Sequence, residues 1–122
     1  MNGRKARALN RSRRERNEQW LAEARAVPAV LMEAHETFEL WQRGRFTFAL
    51  PVILDDLPGE MKDALAVYRG AALDGRCPGC RVASRVSRKG LMTTHHESGC
   101  VAHPDRLVEL GERLGVDIER TS

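Results

Sequence analysis

Three cysteines and a pair of adjacent histidines lie within one short segment of the chain. Cys77 and Cys80 are separated by two residues, fifteen residues follow, and His96 and Cys100 are separated by three. Thiolate and imidazole groups in two closely spaced pairs are typical of tetrahedral zinc sites with a structural role. The spacing therefore predicts one structural Zn²⁺ with four ligands: Cys77, Cys80, His96 and Cys100. The Pro-Gly turn between the first two cysteines lets both sulfurs converge, with backbone amides pointing at them.

The histidine ligand has more than one candidate at this point. Neighbouring residues on a strand point to opposite faces, so His95 and His96 cannot both reach one ion. The spacing to Cys100 favours His96, with His95 as the alternative fourth ligand. His103 is a third and more distant candidate.

Other chemistry is also open to these cysteines. Three buried free thiols would need no metal, but the residues around Cys77 are not those of a core: Asp74, Gly75, Arg76, Pro78 and Gly79. Cys₃His ligation can hold an iron–sulfur cluster as well as zinc. A Cys-x₂-Cys redox pair is a further alternative, but the strand–helix setting that it requires is missing. Zinc is preferred because mixed thiolate and imidazole ligands suit it.

The elements that must position these ligands follow from the flanking pattern. Two short strands are predicted at 82–87 and 91–96, joined by a turn at 88–90. Pro104 is suited to the first turn of a last helix, and Gly115 closes it. The ligands would therefore lie at the two ends of a β-hairpin.

The segment before the cysteines predicts one helix and one short strand. Leucines, a methionine and a tyrosine recur at helical spacing up to Tyr68, and Pro58 suits the first turn of a helix over 58–73. Apolar residues alternate over 45–50, which favours a short strand.

The N-terminal third carries an apolar pattern with alternating spacings of three and four. The residues are Trp20, Ala24, Val27, Leu31, Ala34, Phe38 and Trp41. This seam predicts a long helix that begins at a capping box of Ser12 and Glu15 and ends at Gly44. Pro28 removes one helical hydrogen bond, so we expect a kink near 24–28.

Together these elements predict a mainly α protein with a small zinc-bound β-hairpin, in the α+β class. Their order is a long kinked N-terminal helix, a middle helix, the zinc knuckle and hairpin, and a C-terminal helix. Three regions are expected along the chain: a mobile basic arm at 1–11, a helical region at 12–74, and a zinc-binding finger with its C-terminal helix at 75–122.

Charge is unevenly distributed along the chain, although its formal net value is only +3. Residues 1–16 hold seven basic side chains and one acidic one, whereas 17–63 hold nine acidic and four basic. Basic side chains near the finger and in the arm could neutralise phosphates of a nucleic acid. The candidates are Arg4, Lys5, Arg7, Arg11, Arg81, Arg85, Arg88 and Lys89. A solvated charged surface is the competing interpretation, and the acidic centre and an aromatic content of 5% favour it.

A second hypothesis makes the chain a protein–protein interaction module. In that case zinc only stabilises a domain too small to hold itself, and the helical seam over 20–41 binds a partner or a second copy. The contact residues would be Trp20, Val27, Leu31, Phe38 and Trp41. The alternative for the same seam is packing within the molecule, against the helices at 58–73 and 104–115.

The finger also resembles known proteins. A Cys-x₂-Cys knuckle, a hairpin, a His-x₃-Cys pair and a following helix, within residues 76–115, resemble the treble-clef or zinc-ribbon-like fingers of small bacterial and phage proteins. That resemblance implies a structural zinc and often a surface for nucleic acid or protein.

HNH nucleases share a metal site of this kind and often begin their motif with a His-His pair, of which the first serves as general base. Here no asparagine follows Asn17, and only His103 follows the pair at 95–96, so the second half of that motif is absent. No Ser-His-Asp set, phosphate-binding loop or glycine fingerprint occurs elsewhere. The chain is therefore expected not to be an enzyme, with a nuclease remnant as a remote alternative.

Composition limits the remaining classes. No stretch approaches eighteen apolar residues, so no membrane span is expected. Three cysteines cannot all pair in disulfides, which favours a reducing cytoplasm.

Overall fold

The computed structural model describes residues 3–116, which form three helices and five strands. The helices are α1 (Gly3–Arg25), α2 (Gly59–Asp74) and α3 (Pro104–Leu114). The strands are β1 (Val30–Ala34), β2 (Phe38–Arg43), β3 (Phe46–Pro51), β4 (Ala83–Val86) and β5 (Met92–His95). One antiparallel sheet has the order β1-β2-β3, and β4 and β5 form a separate antiparallel pair. The fold is α+β.

The prediction of a mainly α protein with a long kinked N-terminal helix is wrong. Helix α1 ends at Arg25, and the chain then turns into strand β1. Pro28 is the main local cause. A proline has no amide hydrogen for a helical hydrogen bond, and it also disfavours helical geometry at the residue before it. Beyond the proline, β-branched and aromatic residues support strands better than a helix.

A tight turn settles the strand pairing in this region. Arg43 pairs with Phe46, so Gly44 and Arg45 form a two-residue connection between β2 and β3. Gly44 has φ +60°, and the first position of a type II′ hairpin turn is commonly glycine. The sequence predicts the end of a helix at Gly44, but the glycine joins two strands.

The start of α1 also differs from the prediction. The helix begins at Gly3, and both Ser12 and Glu15 lie inside it. The segment before Ser12 is rich in arginine, alanine, lysine and leucine, which are strong helix formers, so the helix continues toward the N-terminus without needing the capping box.

The seam of apolar residues is divided among several elements. Trp20 lies on α1, Val27 in the turn that follows, Leu31 on β1, and Phe38 and Trp41 on β2. Phe38 and Trp41 point to opposite faces of their strand because they are three residues apart. The part of the chain that the structure describes therefore contains no helical seam for partner binding.

The first core lies between α1 and the three-stranded sheet. Its buried residues are Leu21, Ala24, Phe46, Phe48, Leu50 and Met92. The three residues from β3 alternate along the strand and so face one side of the sheet. Met92 comes from β5, so the hairpin contributes directly to this core.

The second core joins α2 to α3. Its buried residues are Met61, Ala64, Leu65, Leu107 and Leu110. Tyr68 of α2 packs against both cores, so the two clusters form one continuous apolar interior. The helices predicted over 58–73 and from Pro104 correspond to α2 and α3.

The β4–β5 hairpin is anchored to the large sheet as well as to the core. The Thr47 amide of β3 donates to the Gly90 carbonyl at the hairpin turn at 2.8 Å. The strands predicted within 82–87 and 91–96 correspond to β4 and β5. None of the helices in residues 3–116 combines the length and apolar character that a membrane span requires.

Candidate metal centre and adjacent basic groove

The first ligand pair is positioned by the end of helix α2. Gly75 terminates the helix in the left-handed conformation, with φ +73° and its amide donating to the Ala71 carbonyl at 2.8 Å. The chain therefore leaves the helix sharply and delivers Cys77 within two residues. Cys77 and Cys80 then face each other across a tight turn.

The second ligand pair lies between strand β5 and helix α3. His96 directly follows the last residue of β5 and is 8% exposed, and Cys100 is 4% exposed. The amide of Cys100 donates to the Glu97 carbonyl at 3.0 Å, and the amide of His103 donates to the Cys100 carbonyl at 3.0 Å. These two turns fix the backbone at Cys100, whose Sγ lies 3.6 Å from Sγ of Cys77.

Four donor atoms lie close enough together to share one metal ion. The Sγ atoms of Cys77 and Cys100 are 3.6 Å apart, and Nδ1 of His96 is 3.5 Å from Sγ of Cys80 and 3.8 Å from Sγ of Cys100. All four donors lie within 4.8 Å of one another. Tetrahedral bonds of about 2.3 Å to sulfur and 2.0–2.1 Å to nitrogen separate two sulfurs by about 3.8 Å and sulfur from nitrogen by about 3.6 Å. The site therefore fits a single tetrahedral metal ion.

The pKa values of the two knuckle thiols, Cys77 and Cys80, are shifted in opposite directions. Desolvation raises the pKa of Cys77, but hydrogen bonds from the Gly79 amide, from the other two thiols and from the Cys80 amide outweigh it, so the net pKa is lowered. The pKa of Cys80 is raised to about 11, chiefly by desolvation and also by the neighbouring Cys100 and Cys77 thiols, against a hydrogen bond from the Glu97 backbone. Backbone amides thus favour the thiolate form at Cys77, which is the form that binds a metal.

The surroundings of His96 favour the neutral form of its ring over the charged form. Burial lowers its pKa, and the charges of His103 and His95 lower it further. Its ring stacks on Tyr68 with centroids 6.0 Å apart, which connects the site to both cores. Nδ1 faces the sulfurs, while Nε2 is buried with no hydrogen-bond partner among the described residues. A neutral imidazole is the form that can donate a lone pair to a metal.

The other candidate histidines lie outside the cluster. His95 is exposed, and its Nε2 is 3.0 Å from Oγ1 of Thr93 on the same strand. His103 caps helix α3, because its Nδ1 accepts a hydrogen bond from the Asp105 amide at 3.1 Å. The structure therefore brings His96, and neither alternative, to the three cysteines.

A basic groove lies between helix α1 and the tip of the hairpin. It encloses about 350 Å³ and is lined by Arg13, Arg14, Arg16, Asn17, Trp20, Val86 and Arg88. The Asn17 side chain accepts a hydrogen bond from the Val86 amide at 3.3 Å, which holds β4 against α1. Four guanidinium groups from two distant parts of the chain therefore share one concave surface.

The groove cations have few partners within the protein. The guanidinium of Arg16 lies 5.9 Å from the Trp20 ring centroid. None of the four groove arginines forms an ion pair with an acidic side chain in residues 3–116. By contrast, Arg45 nearby is bound to Glu23 at 2.9 Å, and its guanidinium lies 4.8 Å from the Trp20 ring centroid. Within the described part of the chain, the groove therefore presents positive charge that no ion pair neutralises.

The remaining predicted phosphate-binding residues lie at several places. Arg85 is exposed on the face of β4 opposite Val86, Arg81 is exposed two residues before that strand, and Lys89 is exposed at the hairpin tip. Arg7 and Arg11 are exposed on α1. The side chains of Arg4 and Lys5 lie outside the described part of the chain.

Sequence reasoning missed three of the groove residues as binding candidates. Arg13, Arg14 and Arg16 belong to the basic run of residues 1–16, so their charge was visible in the sequence. Their proximity to Arg88 was not visible, because it depends on how α1 packs against the hairpin. Nothing in the sequence indicated that Asn17 joins α1 to the hairpin.

Comparisons of this chain with protein-family models, with curated proteins and with solved structures find no match. The likeness of residues 76–115 to treble-clef or zinc-ribbon-like fingers therefore remains a resemblance in ligand spacing and order of elements. Any function has to follow from the geometry and charge of the metal centre and the groove.

Proposed function

We propose that the protein binds nucleic acid, and that one structural Zn²⁺ holds its hairpin in the position that completes the binding surface. The observation that carries this proposal is the convergence of Arg13, Arg14 and Arg16 with Arg88 on one groove. Arg88 is far in the sequence from the other three, so a single charge run along the chain does not account for their meeting. Unpaired guanidinium groups on a concave surface suit phosphate oxygens, which they bind in a bidentate manner.

The donor set supports zinc as the metal. Three thiolates and one imidazole within 4.8 Å leave room for a single ion, whereas an iron–sulfur cluster places several atoms between its ligands. Four protein ligands complete a tetrahedral shell, as in structural sites, and leave no open position for a substrate. We therefore propose a binding protein that is not an enzyme.

The metal would act on the groove through the hairpin. Strand β4 begins three residues after Cys80, and β5 ends at the residue before His96. Both ends of the hairpin are thereby tied to the metal, while its tip carries Arg88 into the groove. Zinc would in this way fix the distance between Arg88 and the arginines of α1.

The metal assignment predicts different results for two adjacent histidines. Purified protein should contain one zinc per chain by elemental analysis, with no visible iron–sulfur absorbance. We expect His96→Ala to lose the metal, because it removes one of four ligands, and the matched His95→Ala to retain it, because the His95 ring lies outside the cluster, 3.0 Å from Thr93. Equal metal content in both variants would contradict the assignment of the fourth ligand.

The binding assignment predicts salt-dependent affinity for nucleic acid. Affinity for random-sequence nucleic acid should fall as salt rises, with a slope of about −0.9 per phosphate contact on duplex DNA. Replacing Arg13 and Arg88 together with glutamine should reduce that slope by up to about 1.8 by the same rule. Fluorescence anisotropy at several salt concentrations measures both quantities.

The control removes the same amount of charge elsewhere. Arg106 and Arg113 are exposed on α3, where Arg106 pairs with Glu109 and Arg113 pairs with Glu60. Replacing both arginines with glutamine should therefore leave the salt dependence of the affinity nearly unchanged. Folding of every variant is checked by circular dichroism. Absence of salt-sensitive binding to DNA and RNA alike would refute the proposed function.

A second candidate function is protein association through strand β1. This strand forms one edge of its sheet, and its apolar residues Val30, Leu31 and Met32 are 54%, 43% and 53% exposed. An exposed edge strand can pair with another chain. A stable oligomer together with a lack of affinity for nucleic acid would favour this alternative.

A further inference from the structure

We infer that the N-terminal half of helix α1, residues 3–16, enters the major groove of B-form duplex DNA, while the hairpin tip contacts the flanking phosphates. This inference rests on the proposed nucleic-acid binding and specifies the class of ligand. It concerns a surface of α1 that extends beyond the groove between helix and hairpin.

This half of the helix projects from the folded body. Among the α1 side chains that the structure describes, Leu21 is the first that is buried, and residues 7–9 and 11–15 are all exposed. The anchoring contacts begin near Asn17, which bonds to β4. At about 1.5 Å per residue, residues 3–16 extend over about 20 Å, enough to follow a groove across several base pairs.

The charge of the projecting half matches a polyanion. Positions 7, 11 and 14 are four and three residues apart, so Arg7, Arg11 and Arg14 share one face of the helix. None of the three forms an ion pair within residues 3–116. The first turn of α1 contains no acidic residue to complement the positive end of the helix dipole. Phosphates around the helix would neutralise both the side chains and that dipole.

The shape of the surface favours B-form DNA over an RNA duplex. The major groove of B-DNA is about 12 Å wide and admits an α-helix. The corresponding groove of A-form RNA is deep and narrow, and side chains do not read it. A projecting helix can therefore enter the major groove of B-form DNA, whereas the major groove of duplex RNA is too narrow for it.

Single-stranded nucleic acid is disfavoured by the state of the aromatic residues. Proteins that bind single strands stack bases on free aromatic rings. Trp20 is the aromatic residue in the groove, and its ring is covered by Phe46 at 6.0 Å and by Arg45 at 4.8 Å. Trp41 and Tyr68 pack against the cores, and Phe38 stacks on His35.

The hairpin tip is placed to contact the backbone beside the helix. Arg88 lines the same groove as Arg13 and Arg14, and Lys89 is exposed next to it. The bond between Asn17 and Val86 sets the tip against the middle of α1, where the projecting half begins. A duplex that receives the helix would therefore present a phosphate strand to the tip.

Methylation by dimethyl sulfate tests this geometry directly. The reagent modifies guanine N7 in the major groove and adenine N3 in the minor groove, so each groove has its own signal. With zinc-loaded full-length protein on random-sequence duplex DNA, we expect protection of guanine N7 and no protection of adenine N3. Protection confined to adenine N3 would overturn the inference.

Competition among nucleic acids separates this inference from the proposed function. Duplex DNA should bind at least about tenfold more tightly than the RNA duplex or the single strand of the same sequence at about 0.1 M salt. Tighter binding to either RNA or single strands would overturn the inference and leave the proposed function intact. Absence of binding to all three would refute both.

A variant with matched charge tests the helix face. Replacing Arg7, Arg11 and Arg14 with glutamine should lower the salt slope on duplex DNA by up to about 2.7 and abolish guanine N7 protection. The control replaces three exposed arginines elsewhere, namely Arg25, Arg106 and Arg113, and should retain the protection. Equal loss in both variants would show that net charge alone drives binding, which contradicts a helix in the groove.

Discussion

Arg69 connects helix α2 to the large sheet through two hydrogen bonds. Its guanidinium donates to Oε1 of Glu39 on β2 at 2.6 Å and to the Pro51 carbonyl of β3 at 2.7 Å. The hydrogen bond from Arg69 is the main reason that the pKa of Glu39 lies below its usual value near 4.5. Desolvation raises this pKa, and a hydrogen bond from the Trp41 indole lowers it further. Both side chains are about four-fifths buried, so solvent screens this pair less than a surface ion pair.

This pair predicts a specific loss of stability in acid. Because folding lowers the pKa of Glu39, its contribution is fully present above about pH 4.5 and is lost as the pH falls through the lower pKa of the folded state. Glu39→Gln should cost about 1 to 2 kcal/mol at pH 7, and the difference from the parent protein should shrink as the pH falls below the usual glutamate pKa and through the lower pKa of the folded state. Urea unfolding at several pH values measures this difference. The Glu109 side chain is 66% exposed, so the control variant Glu109→Gln should change the free energy of unfolding little at any pH.

At the scale of elements, two glycines have opposite roles. Gly44 has φ +60° in the β2–β3 turn, where a side chain would be strained. Gly70 lies inside helix α2, and a Cβ added there would meet nothing within 4 Å. The first glycine is therefore required by its backbone conformation, and the second weakens its helix without a structural reason.

These positions predict stability changes of opposite sign. Gly44→Ala should lower the free energy of unfolding by about 1 to 2 kcal/mol, since the turn would hold alanine in a left-handed conformation. Gly70→Ala should raise it by up to about 1 kcal/mol, because alanine is the better helix former. Thermal unfolding of the two single variants provides the comparison. A stabilised Gly44→Ala variant would contradict the hairpin turn.

At the scale of the whole molecule, the metal centre is connected to both cores. His96 stacks on Tyr68, which packs against both clusters, and Met92 of the hairpin is part of the core that contains Leu21. Helix α3, which follows Cys100, packs on α2 through Leu107 and Leu110. The finger is thus a part of one folded unit, since its residues complete the interior around α1 and α2.

This connection predicts that metal removal destabilises the entire protein. Structural zinc contributes on the order of 10 kcal/mol of apparent binding energy, which is comparable to the whole stability of a small domain. Chelation or Cys100→Ser should therefore shift one cooperative unfolding transition, seen alike by far-UV circular dichroism and by tryptophan fluorescence. Separate transitions for the two signals would show instead that α1 and the sheet fold independently of the finger.

Local sequence was sufficient where neighbouring residues determine the structure. The knuckle, the pair of His96 and Cys100, and helix α3 between Pro104 and Gly115 all depend on short-range spacing, and the structure contains the four-residue cluster. Metal-ligand spacing and helix termini are set by bond lengths and backbone conformation within a few residues, which a sequence displays directly.

Tertiary structure decided the features that depend on distant residues. The apolar spacing of residues 20–41 fits a helix by count, yet the residues after Pro28 form strands because β2 can pair with β3 and bury Trp41 opposite Phe48. That pairing is a contact between segments, and a helical pattern in one segment cannot exclude it. The basic groove has the same origin: the sequence determined the charges of Arg13 and Arg88, and only the packing of α1 against the hairpin brought them to one surface.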